Sequence, residues 1–280
     1  MTKNLRVKSS EYIDETNRIS FKFNGKTYHG FKGDTLASAL LANDVHLVGR
    51  SFKYHRPRGI MTSGSEEPNA IVQVNPGTNR TEPNVRATEV EIYEGLEASS
   101  QNCWPSVEFD IGGINNFLSP FFPAGFYYKT FMWPASFWEK YEFFIRHSAG
   151  LGKSPTSSDP DIYDHRNIHC DVLVVGAGIS GILAAKNAAK NNFKTLLVDE
   201  KNELGGSTIF ENNEFNKIDN KTPSEWLKKE IEELKNIKNL EIKTRTSVAA
   251  YHQYNYLLAR ENLTDHLEAK DKTNKIRQRL

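Results

Sequence analysis

The run Gly176-Ala177-Gly178-Ile179-Ser180-Gly181 is where this sequence most plainly offers chemistry. It follows the apolar stretch Asp171–Val175, which reads as a buried parallel strand. Ile182, Leu183, Ala185 and Ala189 then continue at helical spacing. A glycine loop between a strand and a helix is a cradle for a nucleotide diphosphate. Gly176 permits the tight turn out of the strand, Gly178 lets bare backbone approach a pyrophosphate, and Gly181 lets the helix pack close to the sheet. Ala177 and Ser180 share that cradle, whose helix start offers N–H groups and a positive partial charge to phosphates. A second strand, Thr195–Val198, ends at two acids, Asp199 and Glu200. Asp199 lies 18 residues after Gly181, the reach at which a carboxylate meets ribose hydroxyls and repels a 2′-phosphate. Glu200 is the alternative, pointing the other way by strand alternation, and Lys201 is placed at the ribose or phosphate edge.

A glycine pair follows in Leu204-Gly205-Gly206-Ser207. It is expected to bring a second backbone segment to the cofactor, with the Ser207 hydroxyl beside it, an arrangement typical of flavoprotein-like two-dinucleotide folds. Pro223–Asn236 reads as an amphipathic helix with Trp226, Leu227, Ile231 and Leu234 inward, capped by Ser224 or by Thr222 ahead of Pro223. Leu240–Lys243 reads as a third strand, and Val248 just after it is expected to reach the adenine.

Other clusters promise less. Arg50, Lys53, His55, Arg56 and Arg58 interleave with Phe52 and Tyr54. Such a run binds nucleic acid, an anion or nothing but water. Lys+Arg 36 against Asp+Glu 35, a net of +1, argues against nucleic acid. His165 and His169 have helical metal spacing but no third ligand at hand. Cys170 reads as a small core residue. Two cysteines, Cys103 and Cys170, make neither a disulfide framework nor a four-thiolate site, and suit a reducing, cytoplasmic setting. No nucleophile–base set has supporting context, so no catalytic residue is assigned.

Four zones carry these residues across 280 positions, room for two ordinary domains. Residues 1–18 are a polar arm or early strand. Residues 19–98 alternate as short strands: Ile19, Phe21 and Phe23 lead to an Asn24-Gly25 hairpin turn. Asp34 or Thr35 caps a helix with Leu36, Ala39, Leu40 and Val45 inward, and Ile71–Val74 and Val90–Tyr93 are further strands. That is a small α+β domain. Residues 99–168 crowd aromatics from Phe117 to Phe144, either packed on the chain's own domains or forming a partner interface, and Ser154–Pro160 reads as a linker. Residues 169–280 form the dinucleotide domain. There is no apolar stretch of about 18 residues and no apolar leader.

Several motifs together resemble the alpha subunit of heterotetrameric sarcosine oxidase. They are Gly49-Arg-Ser-Phe-Lys-Tyr-His-Arg-Pro-Arg-Gly59, Glu66-Glu-Pro-Asn-Ala70, Pro123-Ala-Gly-Phe-Tyr-Tyr-Lys-Thr-Phe-Met-Trp133, Asp199-Glu200 with Gly205-Gly206, and Val248 to Asn255. The resemblance implies an α/β with α+β architecture. A small ferredoxin-like domain comes first, and a glutathione-reductase-like Rossmann dinucleotide-binding domain follows, truncated before its last strands and before a folate-handling region. Related dehydrogenases hold an iron–sulfur cluster in the first domain; with no cysteine in 49–64, none is expected here. The resemblance further implies NAD bound by this chain, FMN at a subunit interface, FAD on a beta subunit, and gamma and delta partners. Sarcosine would be oxidised on the beta subunit to glycine, formaldehyde and hydrogen peroxide. It turns Arg50–Arg58 toward a flavin phosphate or an acidic partner patch. The alternatives are a subunit of an FAD-dependent amine or opine dehydrogenase, and a non-catalytic assembly module.

Overall fold

The structure, a computed structural model, describes residues 5–6, 13–121, 133–148, 150–210, 216–267 and 276–279. Phe122, Phe126, Tyr127, Tyr128 and Phe131, nearly all of the motif at 123–133 and most of the N-terminal arm lie outside the described residues. The chain divides into two units: Met1–Pro160 with His266–Thr273, and Asp161–Asp265 with Asn274–Leu280. The first division falls at the end of the Ser/Pro-rich stretch.

In the first unit, β1 (Asp14–Phe23) buries Ile19, Phe21 and Phe23, the face that a period of two predicts. Asn24-Gly25 turns it into β2 (Lys26–Lys32), with Phe23 opposite Lys26. Thr35 caps α1 (Leu36–Ala42) by accepting the Ser38 N–H, and the Ser38 hydroxyl returns the bond. Leu36, Ala39 and Leu40 are buried. Asp34, the other candidate cap, is buried beside it instead. It accepts the Phe31 N–H and the Ser38 hydroxyl and pairs with Arg6. The short strands β3 (Gly49–Arg50) and β4 (Pro57–Arg58) clasp the basic run.

Then β5 (Ile71–Val74), β6 (Glu82–Arg86) and β7 (Leu96–Ser100) complete a sheet of order β2-β1-β7-β5-β6, with β1 and β7 parallel. Val90–Tyr93 is not a strand. Glu91 makes one bridge to Thr35 and the Ile92 N–H donates to Asp34, so the segment braces the start of α1. Strand β7 has a weak apolar signal, Leu96 and Ala98 alone facing the core. Two α-helices follow among the described residues, α2 (Ile114–Phe117) and α3 (Trp138–Ser148).

The second unit opens with β8 (Ile162–His165), which bears His165. A strand–helix alternation then runs β9 (Val172–Val175), α4 (Ile179–Lys190), β10 (Thr195–Val198), α5 (Pro223–Lys235) and β11 (Leu240–Lys243). The three strands are parallel in the order β11-β10-β9. Strand β10 is buried throughout, whereas β9 is not the inner strand expected: it pairs only with β10 among the described residues, and Val175 is 57% exposed. Leu183 is also exposed, lying beside the buried stripe of Ile182, Ala185 and Ala189. Cys170 precedes β9 and is half-buried; burial pushes its thiol up.

Thr222, not Ser224, caps α5 in a reciprocal pair with Glu225, with Pro223 in the first turn. Trp226, Leu227 and Leu234 pack with Ile182, Ala185 and Leu197. On the helix flanks, Lys186 Nζ meets Glu230 at 2.5 Å and Glu233 at 2.7 Å. A second sheet takes β12 (Thr246–His252), β13 (Tyr256–Asn262) and β14 (Ile276–Arg279), with β8 beside β14.

Candidate dinucleotide site

At the end of β9 the backbone turns at Gly176, whose φ of +93° suits glycine. The Gly176 N–H donates to Val198 O at 2.8 Å, holding the loop to the end of β10. Gly178 stands at the N-cap of α4 and gives the first turn no side-chain cap, so the leading N–H groups of Ile179, Ser180 and Gly181 depend on what lies in front of the helix. A Cβ added at Gly178 would meet nothing within 4 Å: the space a pyrophosphate needs is open. At Gly181 the opposite holds, since a Cβ there would lie 1.8 Å from Gly176 O. The third glycine is thus a packing requirement, and the second keeps a cradle clear.

The second glycine pair closes on the first. The Gly205 N–H donates to Ala177 O at 2.8 Å, and a Cβ on Gly206 would lie 3.1 Å from Gly178 Cα. Gly206 has φ +56°, and Gly205 is pressed so close to Leu227 that a Cβ would reach 2.5 Å from Cδ2. Ser207 is exposed beside them. One residue on, the Thr208 hydroxyl is buried with no hydrogen-bond partner. Sequence reasoning passed over it, because a threonine after a glycine pair has no distinctive pattern.

Asp199 is turned inward, 8% exposed. Its Oδ2 accepts the Ala177 N–H at 2.6 Å and its Oδ1 accepts the Lys201 N–H at 2.8 Å. The acid expected at the ribose therefore also shapes the glycine loop; each oxygen retains a second lone pair for a hydroxyl donor. Glu200 is exposed, as alternation requires. The Lys201 ammonium sits 5.1 Å from the centre of the Phe210 ring. Thr246 N–H donates to Asp199 O, so β12 departs from the same point. Val248 lies on that strand opposite Ala259, half-buried. The geometry brings together Gly176, Ala177, Gly178, Gly181, Asp199, Gly205 and Gly206; Val248 joins them only through the start of its strand.

The first unit carries a second notable surface. Arg50 Nε and Nη2 both donate to Val107 O, at 2.8 and 2.5 Å. His55 Nδ1 lies 2.6 Å from Asp110 Oδ2, and Arg56 Nε donates to Asn116 Oδ1 at 2.8 Å. The basic run is thus neither a bare solvated face nor a free anion site, for much of it fastens the segment 104–117. That segment leaves Trp104, Phe109, Ile114 and Phe117 exposed, Phe117 by 82%.

Comparison with known proteins agrees with this division. Residues 16–103 match a family described as a 2Fe-2S iron-sulfur cluster binding domain, and residues 171–265 match FAD dependent oxidoreductases. Over 263 residues, 94% of this chain, identity to the Rhizobium meliloti sarcosine oxidase subunit alpha is 49%. The chain is a relative of the sarcosine oxidase alpha subunit. The subunit from Corynebacterium sp. strain U-96 is 30% identical over 96% of the chain. This relative spans about a quarter of the length of the alpha subunits it matches, 26% and 23%. A solved L-proline dehydrogenase from P. horikoshii shares the fold at TM-score 0.54 and 16% identity, over 96% of this chain and 40% of its own. The architecture is a ferredoxin-like domain followed by a Rossmann-like FAD-oxidoreductase region. The first family's name implies a 2Fe–2S cluster, which takes four thiolates. Cys103 and Cys170 are the sole cysteines and belong to different units, so the residues do not fit a cluster.

Proposed function

We propose that this chain is the dinucleotide-binding part of a sarcosine oxidase-like flavoenzyme, an oxidoreductase acting on CH–NH donors. The observation that carries the reading is the open space over Gly178, walled by Gly206 and flanked by Asp199. The main chain at Ala177, Gly178 and Ser180, with Gly181 behind it, would hold the diphosphate. Asp199 would accept the ribose hydroxyls, with Lys201, Ser207 and Val248 at the margins and Glu200 turned to solvent. The ligand proposed is NAD, with FMN at a subunit interface and FAD on a beta subunit. When bound, those flavins supply the acceptor for electrons leaving the amine carbon of sarcosine. This chain's residues position and shield a dinucleotide, and none of them is assigned a proton transfer. Beta, gamma and delta subunits are the proposed partners, the exposed rings of 104–121 being surface that a partner would cover, and the cytoplasm is the proposed setting. No helix among the described residues is long and apolar enough to cross a membrane.

The test is to release and weigh the cofactors of the full-length complex, co-expressed with its neighbouring genes. NAD and FMN alongside FAD are expected, with NAD alone lost from Gly178→Val. The match of residues 171–265 to FAD dependent oxidoreductases favours a second reading, FAD in this same cradle. FAD without NAD in the released material would sink the first reading, and loss of part of that FAD from Gly178→Val would establish the second.

A further inference from the structure

The ferredoxin-like domain folds a loop around a carboxylate. Glu67 is 1% exposed. Its Oε2 accepts the N–H groups of Met61 at 2.7 Å and Thr62 at 2.6 Å, and the Thr62 hydroxyl at 3.3 Å. Its Oε1 accepts the N–H groups of Asn69 at 2.8 Å and Ala70 at 3.0 Å. Around it, the Thr88 hydroxyl donates to Gly64 O and the Arg86 guanidinium to Glu67 O. Four backbone donors aimed at one buried anion, in a loop with no ladder of its own, is a cage built for negative charge.

Plant-type 2Fe–2S domains place three cluster thiolates as C-x4-C-x2-C. Here four residues separate Thr62 from Glu67, and two separate Glu67 from Ala70. These three positions have the ligand spacing, and two of them donate N–H groups to the third. We propose that Glu67 replaces the cluster, serving as the resident anion around which loop 61–70 folds, so that this domain is a scaffold with no iron–sulfur relay. Burial alone would raise the Glu67 carboxyl, but the N–H groups of Thr62, Asn69, Met61 and Ala70 outweigh it and hold the group below the usual carboxylate range. The scaffold is then free to carry the surface that Arg50, His55 and Arg56 fasten.

The experiment uses the full-length chain with its partner subunits, purified without oxygen from iron-replete cells. Iron and acid-labile sulfide are expected to be absent. In hydrogen exchange read by mass spectrometry, Glu67→Gln should lower protection in peptides spanning 59–72 roughly tenfold, leaving the second unit unchanged. Stoichiometric iron and sulfide would overturn the proposal, as would equal protection in the variant. If Glu67→Gln does not accumulate, the wild-type protein carries the test. Slow exchange at Met61, Thr62, Asn69 and Ala70, whose amides have no other acceptor among the described residues, supports it. Exchange there at the rate of an unprotected chain defeats it.

Discussion

Gly178 and Gly181 stand three residues apart and answer opposite demands. At Gly178, φ −70° and ψ −175° suit any residue, and an added methyl meets only open space. Gly178→Ala is expected to change stability by no more than about 0.5 kcal/mol while weakening dinucleotide binding at least tenfold, roughly 1.4 kcal/mol. Gly181→Ala drives a methyl into Gly176 O and should cost about 1–3 kcal/mol of stability. Thermal unfolding and calorimetric titration separate the two, and equal losses in both variants would contradict these roles. At Asp199 an amide cannot accept two N–H groups through two oxygens. Asp199→Asn should therefore lose about 1–3 kcal/mol through an unsatisfied Ala177 or Lys201 donor, seen as a lower unfolding midpoint even without cofactor. The place of Asp199 at the end of β10, where a ribose contact is proposed, was legible from its spacing. Its bond to Ala177 was not, because it depends on how β10 and the glycine loop meet in space.

Helices α4 and α5 are joined by an apolar seam and by Lys186 between two carboxylates, with Lys190 Nζ 3.5 Å from the outer one, Glu233. The hydrogen bond from Lys186 holds Glu233 at a pKa of about 2, against some desolvation that raises it. Burial would lower the Lys186 pKa, yet its bonds to Glu230 and Glu233 raise it above the usual value. Stability from the Glu233 contact is present above the usual carboxylate range and is lost as pH falls toward 2. Stability from Lys186 is present below its usual pKa and fades as pH rises beyond it. Lys186→Met should lower the unfolding midpoint at neutral pH, leaving Glu230 buried without its partner, and should flatten the acid limb of midpoint against pH. An unchanged acid limb would show that the clamp contributes nothing. Elements with strong periodicity or caps, such as β1, α1, α4 and α5, were readable from the chain. The segment Val90–Tyr93 and strand β7 were not, since four apolar-rich residues do not say whether they join a sheet or brace a helix.

Across the first unit, Phe52, Trp104, Phe109, Ile114, Phe117 and Phe121 are exposed, an arrangement costly for a chain alone in water. The sequence placed a crowd of rings at Phe117–Phe144, which takes in only Phe117 and Phe121 of these six; the folded backbone shows the others, and that the basic run fastens the segment 104–117. Phe109→Ser with Phe117→Ser is expected to leave the unfolding midpoint within about 0.5 kcal/mol, to reduce dye binding and self-association, and to abolish co-purification of partner subunits. Tyr254→Asn, an exposed ring in the second unit, is the control. Co-purification that survives the double substitution would place the subunit contact elsewhere.

The near-touch of Gly206 and Gly178 binds two distant stretches of gene to one another. The constraint runs one way: a side chain at Gly206 is tolerated only if the peptide at Gly178 retreats, whereas one at Gly178 enters open space, so folding alone should hold position 206 small and leave 178 free. A library randomised at both positions and sorted for folding would return survivors small at 206 and varied at 178, with enlargements at Gly206 rescued only by shifts in the loop bearing Gly178.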